Sequence, residues 1–468
     1  MKNILQYEWK LFLRSKLMVS AWVLMFVIGL YALYYGKSFT QTQATSIYTM
    51  DTAYQGRVQK QIQSFSADTT TKEGKAAYNN AVDPFMSEWL THYMLWKKPT
   101  ELQTLSIGQS DNQPFYYYIG SYYDNVYTNK QIELRNPQKL LAGNFDLAFV
   151  LTYLLPLLII AFCYSLVSND KEAGISTILN AQGISLQRLL NGRILFRLLL
   201  VISLFMLLSS IGFIMNGIHS FSNISAWLLI GSSYLLFWFA LAYAIVSLRK
   251  NSVITALILV SSWIFFLLLM PSLISNTSQA NDAERIEISD ADREYSQYLW
   301  DYWQSKTTAL IDTFYTVVPQ WKKYGIKDTN EVNSVAYSYL DIAYMNTTGW
   351  KEDSAILEQQ HNLDRYKCFN PAYTVQNAIN LLAGTESNQF TLFRKAAADY
   401  HLERTAYLSE IRLKGKPLTI AGYKGYPLFN QPAYSFNARK VLQWIWTLWL
   451  LTILLYASGL LLHKKIIH

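Results

Sequence analysis

Cysteine is scarce in this chain, and so are the motifs of catalysis. Cys163 lies inside a long apolar run and Cys368 in a polar segment, so we expect no disulfide between them. The six histidines lack metal-ligand spacing such as HExxH, and no Gly-x-Ser-x-Gly elbow occurs. Gly36-Lys37-Ser38 ends like a phosphate-binding loop, but Tyr31 replaces the first glycine of that pattern. We therefore expect neither enzymatic activity nor a cofactor in this chain.

Charge is missing from the middle of every long apolar run. Asp146 stands at the lip of one run, and Arg193 and Arg197 stand near the end of another, where their long side chains are expected to snorkel toward water. A carrier driven by protons or ions ordinarily needs ionisable groups near mid-membrane. Any transport by this chain must therefore draw its energy from elsewhere.

The apolar runs themselves are long enough to cross a bilayer. A membrane helix needs about 20 apolar residues, and six windows qualify: 17–36, 147–167, 194–217, 226–248, 253–273 and 441–462. The first window exceeds the apolar core of a typical signal peptide, and no small-residue cleavage site follows it, so we expect it to be retained. The sequence thus predicts an α-helical polytopic membrane protein with six transmembrane helices.

Basic residues mark one set of helix ends. Twelve basic residues stand there against only Glu8, Asp170 and Glu172; the basic residues are Lys2, Lys10, Arg14, Lys16, Lys171, Arg188, Arg193, Arg197, Arg249, Lys250, Lys464 and Lys465. Because positively charged loops resist translocation, both termini are predicted to be cytoplasmic. The net charge of +8 then reflects topology and attraction to anionic lipid, so no nucleic-acid partner is expected.

Two polar segments, 37–146 and 274–440, are long enough to form extracytoplasmic domains. The first is expected to be mixed α/β, because it opens with weakly helical sequence and becomes tyrosine-rich at 114–129, a composition typical of strands. The tyrosines could also meet another protein or the headgroup layer. The second segment repeats its apolar positions every three or four residues and is predicted to be mainly helical. Without disulfides, each domain is expected to rely on a core of its own.

Three short segments complete the cytoplasmic side: 1–16, 168–193 and the tail 463–468. Apolar residues at helical spacing predict an amphipathic interfacial helix in the first; these are Ile4, Leu5, Trp9, Phe12 and Leu13. A simple extension of the first span is the alternative. The segment 168–193 combines helix-favouring residues with two glycines. Together with the N-terminal helix, it is one of the few parts of the chain that a cytosolic partner could bind.

This arrangement resembles the membrane subunit of a type-2 ABC transporter, which has six spans and a short cytoplasmic helix between spans two and three. The family's Glu-x-Gly-Thr motif is partly matched, since Glu172 and Gly174 are present but Ile175 and Ser176 precede the threonine. Other stretches are similar to a subgroup with large external loops and largely unassigned function. They comprise the start of span two with Gly143, Asp146 and Pro156, the stretch 105–111, Asn370-Pro371, the stretch 382–385 and Phe390.

The resemblance implies a non-catalytic permease subunit in a bacterial plasma (inner) membrane. It implies two copies of a separate ATP-binding subunit, which would hold ATP and Mg²⁺, and a second permease half, identical or paralogous. The ATPase would contact the N-terminal helix and a coupling site at Asp170, Glu172, Gly174 and Gly183, unless these residues merely cap a helix.

The expected function is export or extraction of a substrate, coupled to ATP hydrolysis in the partner. One alternative is mechanical transmission to an extracytoplasmic protein without passage of substrate. The other is a receptor or scaffold without an ATPase.

Overall fold

The computed structural model describes residues 2–120, 126–127, 144–172, 174, 186–276, 294–295, 297–301, 304, 308–365, 369–432 and 438–465. In chain order the helices are α1 (Lys2–Arg14), α2 (Lys16–Ser64), α3 (Lys72–Val82), α4 (Pro84–Leu90), α5 (Leu147–Glu172), α6 (Leu186–Asn216), α7 (Phe221–Val246), α8 (Ser252–Leu273), α9 (Ala309–Val317), α10 (Thr329–Asp364), α11 (Pro371–Ala383), α12 (Ser387–Leu413), α13 (Ile420–Lys424) and α14 (Ala438–Lys465). Strands β1 (Tyr93–Trp96) and β2 (Tyr116–Ile119) pair antiparallel, and 3₁₀ turns cover Glu101–Thr104 and Pro319–Tyr324.

Six of these helices are long and apolar enough to cross a membrane: α2, α5, α6, α7, α8 and α14. The prediction of an α-helical membrane protein with six spans is therefore confirmed. Helix α7 lies at the centre of the bundle, since 83% of its most apolar window is buried, against 17% for α2, α8 and α14. Helices α2, α8 and α14 have many exposed apolar side chains, and such side chains are suited to contact with lipid tails.

The two ends of the bundle differ in character. The basic end carries α1, the carboxyl end of α5, the start of α6 and the α7–α8 connection with Arg249 and Lys250. The domain end carries the two polar segments, 37–146 and 274–440. At the domain end α11 packs into the same apolar core as the spans, because Val375, Ile379 and Leu382 are buried in it.

The polar half of α2 is more regularly helical than its sequence predicts. The sequence after residue 36 is weakly helical, yet α2 continues unbroken from Lys16 to Ser64, 49 residues in all. Tertiary hydrogen bonds explain why the helix persists, because Gln43 accepts from Gln103 Nε2 at 2.8 Å and Gln61 donates to Ser87 Oγ at 2.8 Å. Its hydroxyl groups adapt to the helix by donating to the carbonyl four residues earlier; they belong to Thr40, Thr42, Ser46, Thr49 and Thr52. The first polar segment therefore begins as an extension of span one.

The two polar segments share part of their core, which corrects the expectation of separate cores. Leu95 and Tyr117 from the small sheet pack against Phe393 and Tyr400 of α12. A buried ion pair links the same segments, with Arg404 Nε 3.5 Å from Glu88 Oε1. The second segment also has a core of its own, formed by α9, α10 and their neighbours: Leu310, Phe314, Trp321, Val335 and Leu340.

Candidate functional site

A buried ion network joins three elements at the basic end. Arg193, in the second turn of α6, donates from Nε to Glu8 Oε1 of α1 at 3.1 Å. Its Nη1 donates to Asp170 Oδ2 of α5 at 2.5 Å and to the carbonyl of Leu166 at 2.9 Å. The Glu8 side chain is only 4% exposed. One guanidinium thus holds the N-terminal helix, the end of span two and the start of span three together, because arginine presents several N–H donors in a fixed planar group.

Arg197 lies one turn further along α6 and extends the same network. Its Nη2 lies 3.9 Å from Glu8 Oε2, and the residue is 9% exposed. The expectation that Arg193 and Arg197 snorkel toward water is therefore wrong. Their charges face Glu8 inside the protein, because α1 folds back over this end of α6.

Helix α1 turns Glu8 and Phe12 inward and leaves Trp9 and Leu13 exposed. The helix predicted for 1–16 is present over Lys2–Arg14, and the Trp9 ring meets the edge of Phe196 on α6 at 6.2 Å. Its contact with α6 is close, since a Cβ added at Gly192 would press on the Ile4 side chain. Its exposed aromatic and aliphatic side chains are those of an interfacial helix.

Glu172 connects the end of α5 to the start of span five. Its Oε1 accepts from the backbone nitrogen and from Oγ of Ser252, both at 3.0 Å. Ser252 is the first residue of α8, and a carboxylate is favourable there because the amino end of a helix carries partial positive charge. The contact joins spans two and five at the surface of the basic end.

Gly174 follows with φ of +71°, a left-handed conformation that favours glycine, and no atom of the described residues lies within 4 Å of the position of a Cβ there. Gly183 lies outside the described residues. The structure brings Asp170 and Glu172 into contacts with neighbouring helices, but their assignment to ATPase coupling stays a prediction.

A second cluster lies at the domain end, at the start of span two. Asp146 caps α5, with Oδ1 accepting from Phe149 N and Oδ2 accepting from Ile107 N, both at 2.8 Å. Asn144 donates to the carbonyl of Gly108 at 3.0 Å. Gly143 lies outside the described residues. The start of span two is thus bonded directly to the stretch 105–111 of the first polar segment.

The stretch 105–111 also meets the end of α11, so three of the stretches that carry the family resemblance form one junction: the start of span two, 105–111 and 382–385. Ser106 Oγ donates to Asn380 Oδ1 at 2.9 Å, and Gln109 N donates to the carbonyl of Thr385 at 3.1 Å. Gly108 has φ of +53°, and a Cβ there would collide with Thr385. Sequence analysis identified these stretches but gave no signal that they touch.

Span two is irregular just inside this junction. Residues Val150–Leu154 form a π turn, and Pro156, which has no N–H, cannot bond to the carbonyl of Thr152. Tyr234 Oη of α7 donates to that carbonyl at 2.9 Å, and Trp263 Nε1 of α8 donates to the carbonyl of Tyr153 at 3.1 Å. Tyr234 of span four therefore supplies the bond that the proline removes, as a membrane interior requires, and Trp263 of span five bonds to the next carbonyl.

Glu8 and Tyr234 are the partners that sequence reasoning missed. Glu8 is the one acidic residue in 1–16, at a position between apolar neighbours, and that placement was a usable signal. Tyr234 carried no such signal, because its role depends on the neighbouring helix. No group of three or more His, Cys, Asp or Glu side chains able to hold a metal ion occurs in the described ranges.

The comparisons with known proteins agree with the architecture. A family profile described as "ABC-2 family transporter protein" matches residues 2–458, nearly the whole chain. Neither the curated proteins nor the solved structures gave a match. The members of this family are permeases that work with an ABC ATP-binding subunit and are typically non-catalytic themselves. With its six spans, its helical bundle and this match, the chain belongs to the ABC-2 family of transporter proteins.

Proposed function

We propose that this chain couples ATP hydrolysis by a separate subunit to export or extraction of a substrate across or from the membrane. The observation that carries the proposal is the Arg193 network. It fastens α1 and the end of α5, the two parts of the basic end that an ATPase could contact, to span three. Force applied to either part is then passed to span three through these ion pairs.

The contacts of Glu172 and Asp146 support a route through the bundle. Movement of the segment after α5 acts on α8 through the bonds from Glu172 to Ser252. Movement of α5 itself acts on the domain end through Asp146 and Ile107. In this proposal Asp170, Glu172, Gly174 and Gly183 form the coupling site, and the start of span two passes motion to the outer segments.

The basic end faces the cytoplasm in this proposal, and both polar segments lie outside a bacterial inner membrane. The complex holds two ATP-binding subunits, with ATP and Mg²⁺ bound in them, and a second permease half, identical or paralogous. An extracytoplasmic protein is a further candidate partner, because the outer segments carry exposed tyrosines such as Tyr48 and Tyr78.

The test is purification of the tagged chain from its native membrane. An ATP-binding subunit should accompany it, and Glu172→Arg should uncouple the ATPase activity of the reconstituted complex. Glu73→Arg makes the same charge change on an exposed site of α3 and should leave that activity intact. A chain that purifies without an ATP-binding protein, together with an active Glu172→Arg variant, would refute the proposal.

Mechanical transmission to an outer partner is the second candidate, and the continuous helix α2 favours it. Helix α2 is continuous from its membrane part to its polar part, so a movement of span one also moves the polar part of the helix. A structure of the assembled pair of permeases distinguishes the candidates. A continuous cavity between the halves supports passage of substrate, whereas a sealed interface supports transmission alone.

A further inference from the structure

A groove of about 710 Å³ runs between α1 and α6. Its lining is Leu5, Gln6, Trp9, Lys10, Phe196, Leu199, Leu200 and Ser203. The volume lies in the range of small-molecule sites. None of these residues belongs to the Arg193 network, although the groove lies beside it. The structure thus has a preformed pocket whose lining residues take no part in the proposed coupling to the ATPase.

The position of the groove places it within the leaflet at the basic end. Trp22, near the start of span one, donates from Nε1 to the carbonyl of Leu200 at 3.2 Å, so the floor of the groove lies at the depth of the first turns of that span. From Phe196 to Ser203 the groove follows α6 inward over about 10 Å. A molecule in the groove therefore lies alongside the lipid tails.

The lining changes from polar to apolar along this direction. Lys10 and Gln6 lie at the outer rim and are exposed, and the ring of Trp9 stands between them and the span, 6.2 Å from Phe196. Leu199, Leu200 and Ser203 line the deeper part, where the Ser203 hydroxyl donates to the carbonyl of Leu200 at 2.9 Å and so presents little polarity to the groove. A tryptophan at the interface with a lysine above it and aliphatic side chains below matches the layers of a phospholipid.

Charge favours an anionic headgroup at the rim. In the described part of the chain no carboxylate pairs with Lys10, whereas the nearest acidic side chain on its helix, Glu8, is engaged by Arg193. Arg14 and Lys16 add exposed positive charge where α1 meets α2. The rim therefore attracts phosphate-bearing anionic lipid rather than repelling it.

We propose that this groove binds one anionic phospholipid, with its phosphate at Lys10 and an acyl chain along Phe196, Leu199 and Leu200. The bound lipid fills the space between α1 and span three and so supports the N-terminal helix against the bundle. It is a site of the permease itself and does not depend on the identity of the transported substrate.

Native mass spectrometry of the full-length chain tests this assignment. Palmitoyl-oleoyl phosphatidylglycerol and palmitoyl-oleoyl phosphatidylcholine are added at equal concentrations to protein stripped of lipid. The chain should retain one phosphatidylglycerol in preference to phosphatidylcholine, and Lys10→Gln should weaken that binding about fivefold, the effect of one basic side chain at an anionic surface. Lys16→Gln removes an exposed charge outside the groove and should change binding less.

Two substitutions fill the groove from the span side, where the native side chains are exposed. Leu199→Trp and Ser203→Trp should each reduce retention of both lipids at least tenfold. Leu207→Trp, one turn deeper on the same stripe of α6 and outside the groove, is the matched control and should bind lipid as the unchanged chain does. Thermal denaturation of each variant shows that it is folded.

Three results would overturn the proposal. Equal retention of both lipids by the unchanged chain removes the headgroup argument. Full retention by Leu199→Trp and Ser203→Trp places the lipid elsewhere. Loss of a co-purifying protein from Ser203→Trp, with lipid binding unaltered, assigns the groove to a protein partner.

Discussion

A guanidinium group can satisfy two carboxylates at once, and Arg193 does so where Glu8 and Asp170 face it. Removing the Arg193 guanidinium leaves the Glu8 carboxylate buried, with Arg197 at 3.9 Å as its remaining basic neighbour. Arg193→Met should therefore lower the free energy of unfolding by about 3 kcal/mol. Thermal denaturation in detergent measures the effect.

The double variant Glu8→Gln/Arg193→Met provides the control for this prediction. A neutral amide costs less to bury than an unpaired carboxylate, so the double variant should regain part of the stability that Arg193→Met loses. Strictly additive losses would show that the two side chains do not act as a pair.

His401 makes stability depend on pH. Its Nε2 lies 3.0 Å from the carbonyl of Gly120, and burial, with a smaller effect of nearby Arg404, lowers the pKa of His401 to about 4. The unfolded chain binds a proton near pH 6.5 but the folded chain does not, so stability is lost as pH falls from 6.5 to 4. The loss amounts to about 3 kcal/mol.

His401→Gln should abolish this contribution, because glutamine does not titrate and its amide can still donate to Gly120. The difference between the two proteins across pH 4 to 7 is the quantity to measure. Burial also raises the pKa of Asp353 to about 6, which favours the folded state in acid and acts in both proteins. Parallel profiles for the two proteins would contradict the role of His401.

At the scale of elements, span two depends on its neighbours for its backbone bonds. Tyr234→Phe removes the donor to the carbonyl of Thr152 and should cost about 1 kcal/mol. In a Pro156→Ala background the helix can supply that bond itself, so the same change should cost less. A double-mutant cycle on thermal denaturation gives the coupling, and equal costs in both backgrounds would exclude it.

Glycines along α2 distinguish its free face from its packed face. Among the described residues, no atom lies within 4 Å of a Cβ at Gly56, so Gly56→Ala should stabilise the helix by about 0.5–1 kcal/mol. A Cβ at Gly36 would collide with the carbonyl of Thr104, so Gly36→Ala should destabilise by about 2 kcal/mol. Denaturation midpoints that move in the same direction would contradict this account.

The elements show where sequence reasoning is sufficient. The spans follow from hydropathy alone, because a bilayer imposes the same length and composition on any helix that crosses it. Strands were expected within the tyrosine-rich region 114–129, and Tyr116–Ile119 is one, paired with Tyr93–Trp96. The polar half of α2 was misjudged, since weak local propensity was outweighed by tertiary hydrogen bonds of Gln43 and Gln61 and by packing against the turn at Glu101–Thr104.

At the scale of the whole molecule, the basic end and the domain end should face opposite compartments. In a background without Cys163 and Cys368, Ser66→Cys, which follows α2, should react with a membrane-impermeant maleimide applied to intact cells. Lys171→Cys at the end of α5 should react only after the membrane is opened. Labelling of both positions from outside would contradict the proposed orientation.

Only one member of each pair in the candidate sites could be identified from the sequence. Asp146 stood out as an acidic residue at the lip of an apolar run, and Asp170 and Glu172 through the family resemblance. Their partners come from far along the chain, as with Glu8 and Arg193, or Asp146 and Ile107. The spacing of residues within one segment does not indicate which helices will pack together, so these pairs could be identified only in the three-dimensional structure.

The unbroken helix α2 also sets a scale for movement. Its 28 residues beyond Gly36 extend about 42 Å, so a tilt of about 5° in span one displaces the far end by about 4 Å. At that end Phe65 meets Tyr423 of the other polar segment, with ring centroids 5.9 Å apart. The same tilt about Gly36 moves the other end of span one, about 30 Å away, by about 3 Å. The outer tip is thus displaced further than any part of the helix within the membrane.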